Sequence, residues 1–364
     1  MKKIMLVFGT RPEAIKMCPL VRELRSRPDS FETTVVVTGQ HREMLDQVLE
    51  AFDIKPDLDL DIMQARQTLF DVTERTLDGM RRVLALKRPD ILLVHGDTTT
   101  SFASALAAFY EGVTVGHVEA GLRTYNIEAP FPEEFNRQAI DIVSKWSFSP
   151  TEAARENLIR EGKKAETIFV TGNTEIDAIK MMVRDDYTHP ELDWAADSRL
   201  VILTAHRRET LGDTMKSMFR AIRRVVDRHE EVKLIYPVHL NPAVREAAEV
   251  FWNHPRIRLI DPLAASDFHN FLAHSHLVLT DSGGIQEGAP ALNKPVLVLR
   301  DETERPEGVA AGTLLLAGTN EDAIYDTFTR LLEDNELYAK MAAAKNPYGE
   351  GLASKIIADI LEKN

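Results

Sequence analysis

Short apolar runs, each closed by a polar or glycine-bearing turn and followed by a helix-length amphipathic stretch, recur along this chain. That alternation constrains the fold more than any other feature. Strands that read as unbroken apolar runs belong to parallel sheets covered on both faces by the helices between them. Residues 91–94 are one such run. It ends at His95-Gly96, with Asp97 at the strand end and Thr98, Thr99 and Thr100 as candidate caps for a small-residue helix over 101–110. Val113, Val115 and Val118 form the next strand and carry Glu119 to its end, and Pro130, Pro132, Glu133 and Glu134 follow in a loop. Two successive strand-to-helix turns thus deliver carboxylates to one sheet edge, the edge at which open α/β sheets bind ligands.

The same pattern starts at the N-terminus. Residues 4–8 read as a strand turned by Gly9-Thr10-Arg11-Pro12-Glu13 into a helix, with Thr10 and Glu13 at capping-box spacing. Arg11 and Lys16 flank that helix start, where backbone N–H groups already favour an anion. Strands follow over 33–38, 147–149 and 168–170. The polar stretch 184–198 reads as a linker, after which the alternation restarts with strands over 200–203, 233–238, 257–260, 277–280 and 296–299. His206 and Arg207 follow the first of these, and Asp281-Ser282-Gly283-Gly284 forms a turn suited to a phosphate. The expectation is an α/β chain of two Rossmann-like, doubly wound domains, 1–172 and 173–351, facing across a cleft, with an amphipathic helix over 352–364 returning to the first. A dinucleotide fingerprint of the form G-x-G-x-x-G does not occur at these turns.

Composition narrows the partners. A net charge of −13 argues against nucleic acid, because no basic stripe supplies phosphate-neutralising charge. No apolar segment is long enough to span a membrane. The single cysteine, Cys18, lies in an apolar helix run and reads as a buried structural thiol, which fits a reducing cytoplasm. The opening MKKIMLVFGT reads as a first core strand, since Arg11 interrupts any longer apolar run.

The segments FGTRPEAIKM, TGQHREMLDQ, LVHGDTTT, GHVEAGLRT, FPEE, HRRE, YPVHLNP, TDSGGIQE, DETERPEG and NPYG, in this order, closely resemble the non-hydrolysing UDP-N-acetylglucosamine 2-epimerases. The resemblance spans nearly the whole chain. It implies the GT-B fold, interconversion of UDP-GlcNAc and UDP-ManNAc without nicotinamide, metal or other cofactor, a homodimer, and activation by UDP-GlcNAc at a second site. It also implies a place in supplying ManNAc units for cell-surface polysaccharide. The implied route eliminates UDP to 2-acetamidoglucal and adds it back with protonation from the other face. Under the resemblance, Asp97, Glu119, Glu133 and His206 take catalytic roles. Arg11, Lys16, Ser282, Gly283, Gly284 and Arg305 contact substrate, and Leu263 and Phe268 form the uracil pocket. Gln40, Glu43, Arg66, Arg207 and His239 belong to the activator region. One departure stands out: the family typically reads SGGxQEEAP, and Gly288 replaces the second Glu, which binds the ribose hydroxyls. A UDP-sugar glycosyltransferase of the same fold, a hydrolysing epimerase and a UDP-sugar sensor without turnover are the alternative readings. Clustered acids favour the epimerase over the first of these, and Gly288 keeps the last in view.

Overall fold

A computed structural model describes residues 1–39, 42–64 and 66–364, with side chains for all of these except 42–44. Internal contacts divide the chain into one unit of Met1–Ala178 with Tyr348–Asn364 and a second of Ile179–Pro347.

The first unit holds β1 (Lys2–Phe8), β2 (Phe31–Val37), β3 (Leu58–Asp59), β4 (Ile91–His95), β5 (Thr114–Val118), β6 (Trp146–Ser149) and β7 (Ile168–Val170). They form one parallel sheet in the order β3-β2-β1-β4-β5-β6-β7. The chain therefore winds outward from β1, returns to lay β4 on the other side of β1, and winds out again. The turns after β1 and β4 come to lie side by side, at the switch point where doubly wound sheets open a binding crevice. All five residues of β4 are buried, as expected of a strand covered on both faces. Met5, Val7, Val36, Leu92, Val94 and Val115 form a core under the helices Leu69–Lys87 and Thr99–Tyr110, and each such side chain contributes about 1.5–3 kcal/mol by leaving water. Ala103, Ser104, Ala105, Ala107 and Ala108 let the second of these helices approach the sheet closely. Of the three threonines in line to cap it, Thr98 does so, accepting the Ser101 N–H at 3.1 Å.

The helix Ala353–Lys363 returns to this unit and packs on the helix Arg11–Arg25, burying Ile357, Ala358 and Leu361. The Asp177 carboxylate caps it, accepting the N–H groups of Ala353 at 3.2 Å and Ser354 at 2.8 Å. Lys2 Nζ donates to the Leu361 carbonyl at 2.8 Å, and Arg27 pairs with Asp359 at 2.7 Å.

The second unit repeats the winding. Strands β8 (Arg199–Thr204), β9 (Val232–Pro237), β10 (Ile257–Ile260), β11 (Leu277–Thr280), β12 (Val296–Val298) and β13 (Leu314–Leu316) are parallel in the order β10-β9-β8-β11-β12-β13. The switch point lies between β8 and β11. One expectation fails in this unit. The stretch 184–198 is not a linker but contains the helix Pro190–Ala195, with Tyr187, Leu192 and Trp194 packed against the core. The cations of Lys233 and Arg258 lie over the Trp194 ring at 5.0 and 4.3 Å. The charged residues around these three apolar side chains disguise a packing face as a spacer. No described helix is long and apolar enough to cross a membrane. Among the described residues no cluster of His, Cys, Asp and Glu could hold a metal ion.

Candidate active site

At the switch point of the first unit the two turns enclose a cavity of about 430 Å³, lined among others by Lys16, His95, Asp97, Glu119, Glu133 and Asn136. Glu13 binds the two turns together. Its buried carboxylate accepts the N–H groups of Gly9 and Thr10 at 3.0 and 2.8 Å and the Thr10 hydroxyl at 2.8 Å. From the β4 side it accepts the hydroxyls of Thr98 at 2.6 Å and Ser101 at 2.7 Å. The capping-box spacing announces the first set; the second set joins a different strand and is a tertiary contact.

Asp97 stands on the β4 turn. Burial pushes its carboxyl above the ordinary range; Arg137, which donates to Oδ2, opposes this, and Glu119 adds to it. Asn136 Nδ2 holds the Asp97 carbonyl at 2.9 Å. Glu119 stands on the next turn in the left-handed region, φ +67°, a conformation costly for a residue with a side chain and characteristic of functional sites. The N–H groups of Glu119 and Ala120 both donate to the Phe148 carbonyl, at 3.0 and 3.1 Å, and fix it there. Gly121 follows at φ +90°, and a Cβ on it would lie 2.2 Å from the Ala154 carbonyl oxygen, so glycine is required. Lys16 Nζ meets Glu119 Oε2 at 2.5 Å and Glu175 Oε2 at 3.6 Å. His95 Nε2 lies 3.7 Å from the same Glu119 oxygen, and burial pushes this imidazole down to about 3, so it is neutral at physiological pH.

Glu133 and Glu134 are neighbours with different surroundings. Glu133 lines the cavity. The Glu134 carboxylate is buried and accepts the N–H groups of Thr124 and Tyr125, both at 3.0 Å, and Gln138 Nε2 at 2.7 Å. Burial would raise its pKa, but these donors outweigh it and hold the carboxyl below the ordinary range. One acid is thus available to a ligand while its neighbour ties down the loop.

Of the other first-unit candidates, Arg11 is exposed at the first residue of its helix and is not among the residues lining the cavity. Arg66 is exposed with φ +60°. Gln40 and the side chain of Glu43 lie outside the described residues.

In the second unit, His206 and Arg207 follow β8 and Asp281-Ser282-Gly283-Gly284 follows β11, side by side at that switch point. Asp281 is fully buried, and its Oδ2 accepts the N–H groups of His206 at 2.7 Å and Arg207 at 2.9 Å. Its Oδ1 lies 3.5 Å from His206 Nδ1. The His206 ring stacks on His239 at 5.4 Å between centroids. Arg305 donates from Nε to Glu287 and lies 3.6 Å from where a Cβ on Gly283 would stand. Leu263 and Phe268 are partly buried at the edge of the core. A Cβ at Gly288 would lie 2.4 Å from Ile179 Cδ1, so Ile179 fills the space beside the glycine. Glu287 is committed to Arg305, and its carbonyl accepts Asn346 Nδ2 at 2.9 Å. Asn136 and Arg137 are site-forming residues that sequence reasoning passed over, while Glu13, His95 and Asp281 read there only as cap and turn residues; Arg137, one helical turn after Glu133, offered the clearest signal.

Paired Rossmann-like units, one with Asp97, Glu119 and Glu133 among the residues around a cavity at its switch point, define an enzyme of the two-domain α/β class with the means for acid/base chemistry. Residues 22–362 match the family described as UDP-N-acetylglucosamine 2-epimerase. The chain is 58% identical over 360 residues to the UDP-N-acetylglucosamine 2-epimerase of Bacillus subtilis strain 168, covering 99% of this chain and 94% of that protein. It is 48% identical over 375 residues to the enzyme of the same name from Escherichia coli K12, covering 100% and 99%. The crystal structure of the UDP-GlcNAc 2-epimerase from Neisseria meningitidis bound to UDP-GlcNAc superposes with a TM-score of 0.92 at 45% identity, covering 100% of both chains. The chain belongs to the UDP-N-acetylglucosamine 2-epimerase family.

Proposed function

We propose that this enzyme interconverts UDP-GlcNAc and UDP-ManNAc by eliminating and re-adding UDP through 2-acetamidoglucal. The observation that carries the reading is the set Asp97, Glu119 and Glu133 around one cavity, each in a different electrostatic setting. The C2 proton has no adjacent carbonyl to acidify it, so inversion by elimination needs one group to remove the proton and another to return one from the opposite face. Asp97, which burial inclines to keep its proton, suits donation. Glu119, paired with Lys16, suits acceptance. Glu133, the first residue of the helix Glu133–Val143, lines the cavity as the third acid. Arg11 and Lys16 contact the sugar side of the substrate. His206, Ser282, Gly283, Gly284 and Arg305 hold the diphosphate, and Leu263 and Phe268 the uracil. UDP-GlcNAc bound at Gln40, Glu43, Arg66, Arg207 and His239 activates turnover; the stacking of His239 on His206 supports a link between that site and the catalytic one. The exposed Phe109, Tyr110 and Ile142 on two adjacent helices of the first unit support a homodimer. The enzyme works in the cytoplasm, and its product feeds cell-surface polysaccharide.

The test is turnover of UDP-GlcNAc in heavy water without added cofactor. UDP-ManNAc carrying deuterium at C2 is the expected product. Product lacking solvent deuterium would overturn the proton-exchange route, and UDP released in step with free ManNAc would select the hydrolysing reaction.

A further inference from the structure

One buried titratable group outside that scheme touches the catalytic turn directly. His117 lies on β5 with no exposed surface. Its Nε2 is 2.7 Å from the Gly96 carbonyl oxygen, and its Nδ1 is 2.7 Å from Asp141 Oδ1. A carbonyl oxygen can only accept, so Nε2 carries a hydrogen and donates it. Asp141 is held from behind: Arg123 donates to its Oδ2 at 2.8 Å and grips Glu161 through two bonds of 2.7 Å. Lys163 Nζ donates to the Asp141 and Ser144 carbonyls, both at 2.7 Å. The imidazole is therefore a rigid strut between a fixed charge network and one backbone carbonyl.

That carbonyl belongs to the peptide whose nitrogen is Asp97's. Gly96 has φ +61° and no side chain by which packing could hold it. Its carbonyl is the handle, and His117 takes it on one side of the peptide while Asn136 takes the Asp97 carbonyl at 2.9 Å on the other. We propose that His117 is a positioning residue for the reaction, fixing through its Nε2–H bond to Gly96 the turn that aims Asp97 into the cavity. The proposal rests on the reading of Asp97 as a proton-transferring group.

The two nitrogens can be tested separately. In His117→Asn the amide nitrogen falls near the place of Nδ1 and can still bond Asp141, but it cannot reach Gly96. In His117→Gln it reaches the place of Nε2 and can donate to Gly96 while leaving Asp141 to Arg123. A role confined to supporting the charge network makes Gln the worse variant; positioning of the turn makes Asn the worse one. With thermal unfolding confirming the fold, His117→Asn is expected to lose kcat by roughly 10²-fold, the cost of about 1 Å of misplacement. KM for UDP-GlcNAc is expected to change little. His117→Gln is expected to recover most of kcat. Equal kcat in the two variants, a larger loss in Gln, a loss confined to KM, or failure of both to fold overturns the proposal. Asp97→Asn is measured in parallel. If that variant keeps full activity, the reading of Asp97 fails first; if it is inactive while Asn and Gln at 117 are alike, the positioning role alone fails.

Discussion

Glu13 offers the sharpest energetic test of how the site is built. One buried carboxylate accepts five hydrogen bonds, three on Oε2 and two on Oε1. Replacement by Gln keeps an oxygen for the Gly9 and Thr10 N–H groups, which can only donate, and turns an NH₂ toward Thr98 and Ser101. Those hydroxyls can rotate: Ser101 has the His95 carbonyl as an alternative acceptor at 2.8 Å, and Thr98 lies 3.0 Å from Thr100 Oγ1. The loss is then mainly charge assistance, on the order of 1–2 kcal/mol. Replacement by Ala strands two buried N–H groups at about 1–3 kcal/mol each, so roughly 2–6 kcal/mol in all. Against a typical domain stability of about 5–15 kcal/mol, Ala threatens the unit and Gln does not. Hydrogen exchange read by mass spectrometry over the helices Arg11–Arg25 and Thr99–Tyr110, across a urea series, gives both values for the first unit alone. Equal losses for Gln and Ala, or an Ala loss below about 1 kcal/mol, would refute the reasoning that stranded donors dominate.

Asp97→Asn, Glu119→Gln and Glu133→Gln are each expected to lower kcat/KM by roughly 10²-fold or more with the fold retained; near-full activity in all three would make the cluster structural. Because the folded-state pKa of Asp97 is raised, the folded protein binds that proton more tightly than the unfolded chain, so the group's stabilisation is present at low pH and is lost as pH rises through the folded value. Thermal unfolding should therefore show Asp97→Asn gaining on the parent as pH rises above the ordinary carboxylate range, and a constant difference would contradict the shift. Gly288→Glu should lower Tm by crowding Ile179, a typical overpacking cost of about 1–3 kcal/mol, and adding Ile179→Ala should restore part of it. Calorimetric titration of that double variant with UDP then reads whether a carboxylate at 288 tightens binding, and unchanged affinity would show that it does not. Burial pushes the Cys18 thiol up to about 12, so alkylation should wait for unfolding, and rapid labelling of the native protein would contradict its burial.

Much of this architecture is written locally. The apolar runs of β1, β4, β8 and β11 need no partner to be recognised, and a strand end places Asp97 and Glu119 without further information. What the sequence conceals is set by distant chain. Glu133 and Glu134 are indistinguishable as letters; the N–H groups of Thr124 and Tyr125 decide which of them is tied down. His117 reads as one more residue of a short strand until Gly96 and Asp141 are brought to its two nitrogens. Gly288 reads as a missing ligand group, and the presence of Ile179 against it emerges only from packing. Trp194 looks stranded among charges until Lys233 and Arg258 close over it.

The return of the helix Ala353–Lys363 to the first unit has a consequence during translation. The face of the helix Arg11–Arg25 that receives Ile357 and Leu361 leaves the ribosome well before its cover, which emerges after the whole of Ile179–Pro347. A nascent first unit therefore carries an open apolar strip, an Asp177 carboxylate without the helix N–H groups it accepts and a Lys2 without the carbonyls it donates to, for as long as the second unit takes to be made. At about 5–20 residues per second this lasts on the order of ten seconds or more, long enough for a holdase chaperone to engage the strip. A ribosome-stalled chain ending before the helix should accordingly be protease-sensitive at helix Arg11–Arg25, and a peptide spanning 350–364 supplied in trans should protect it.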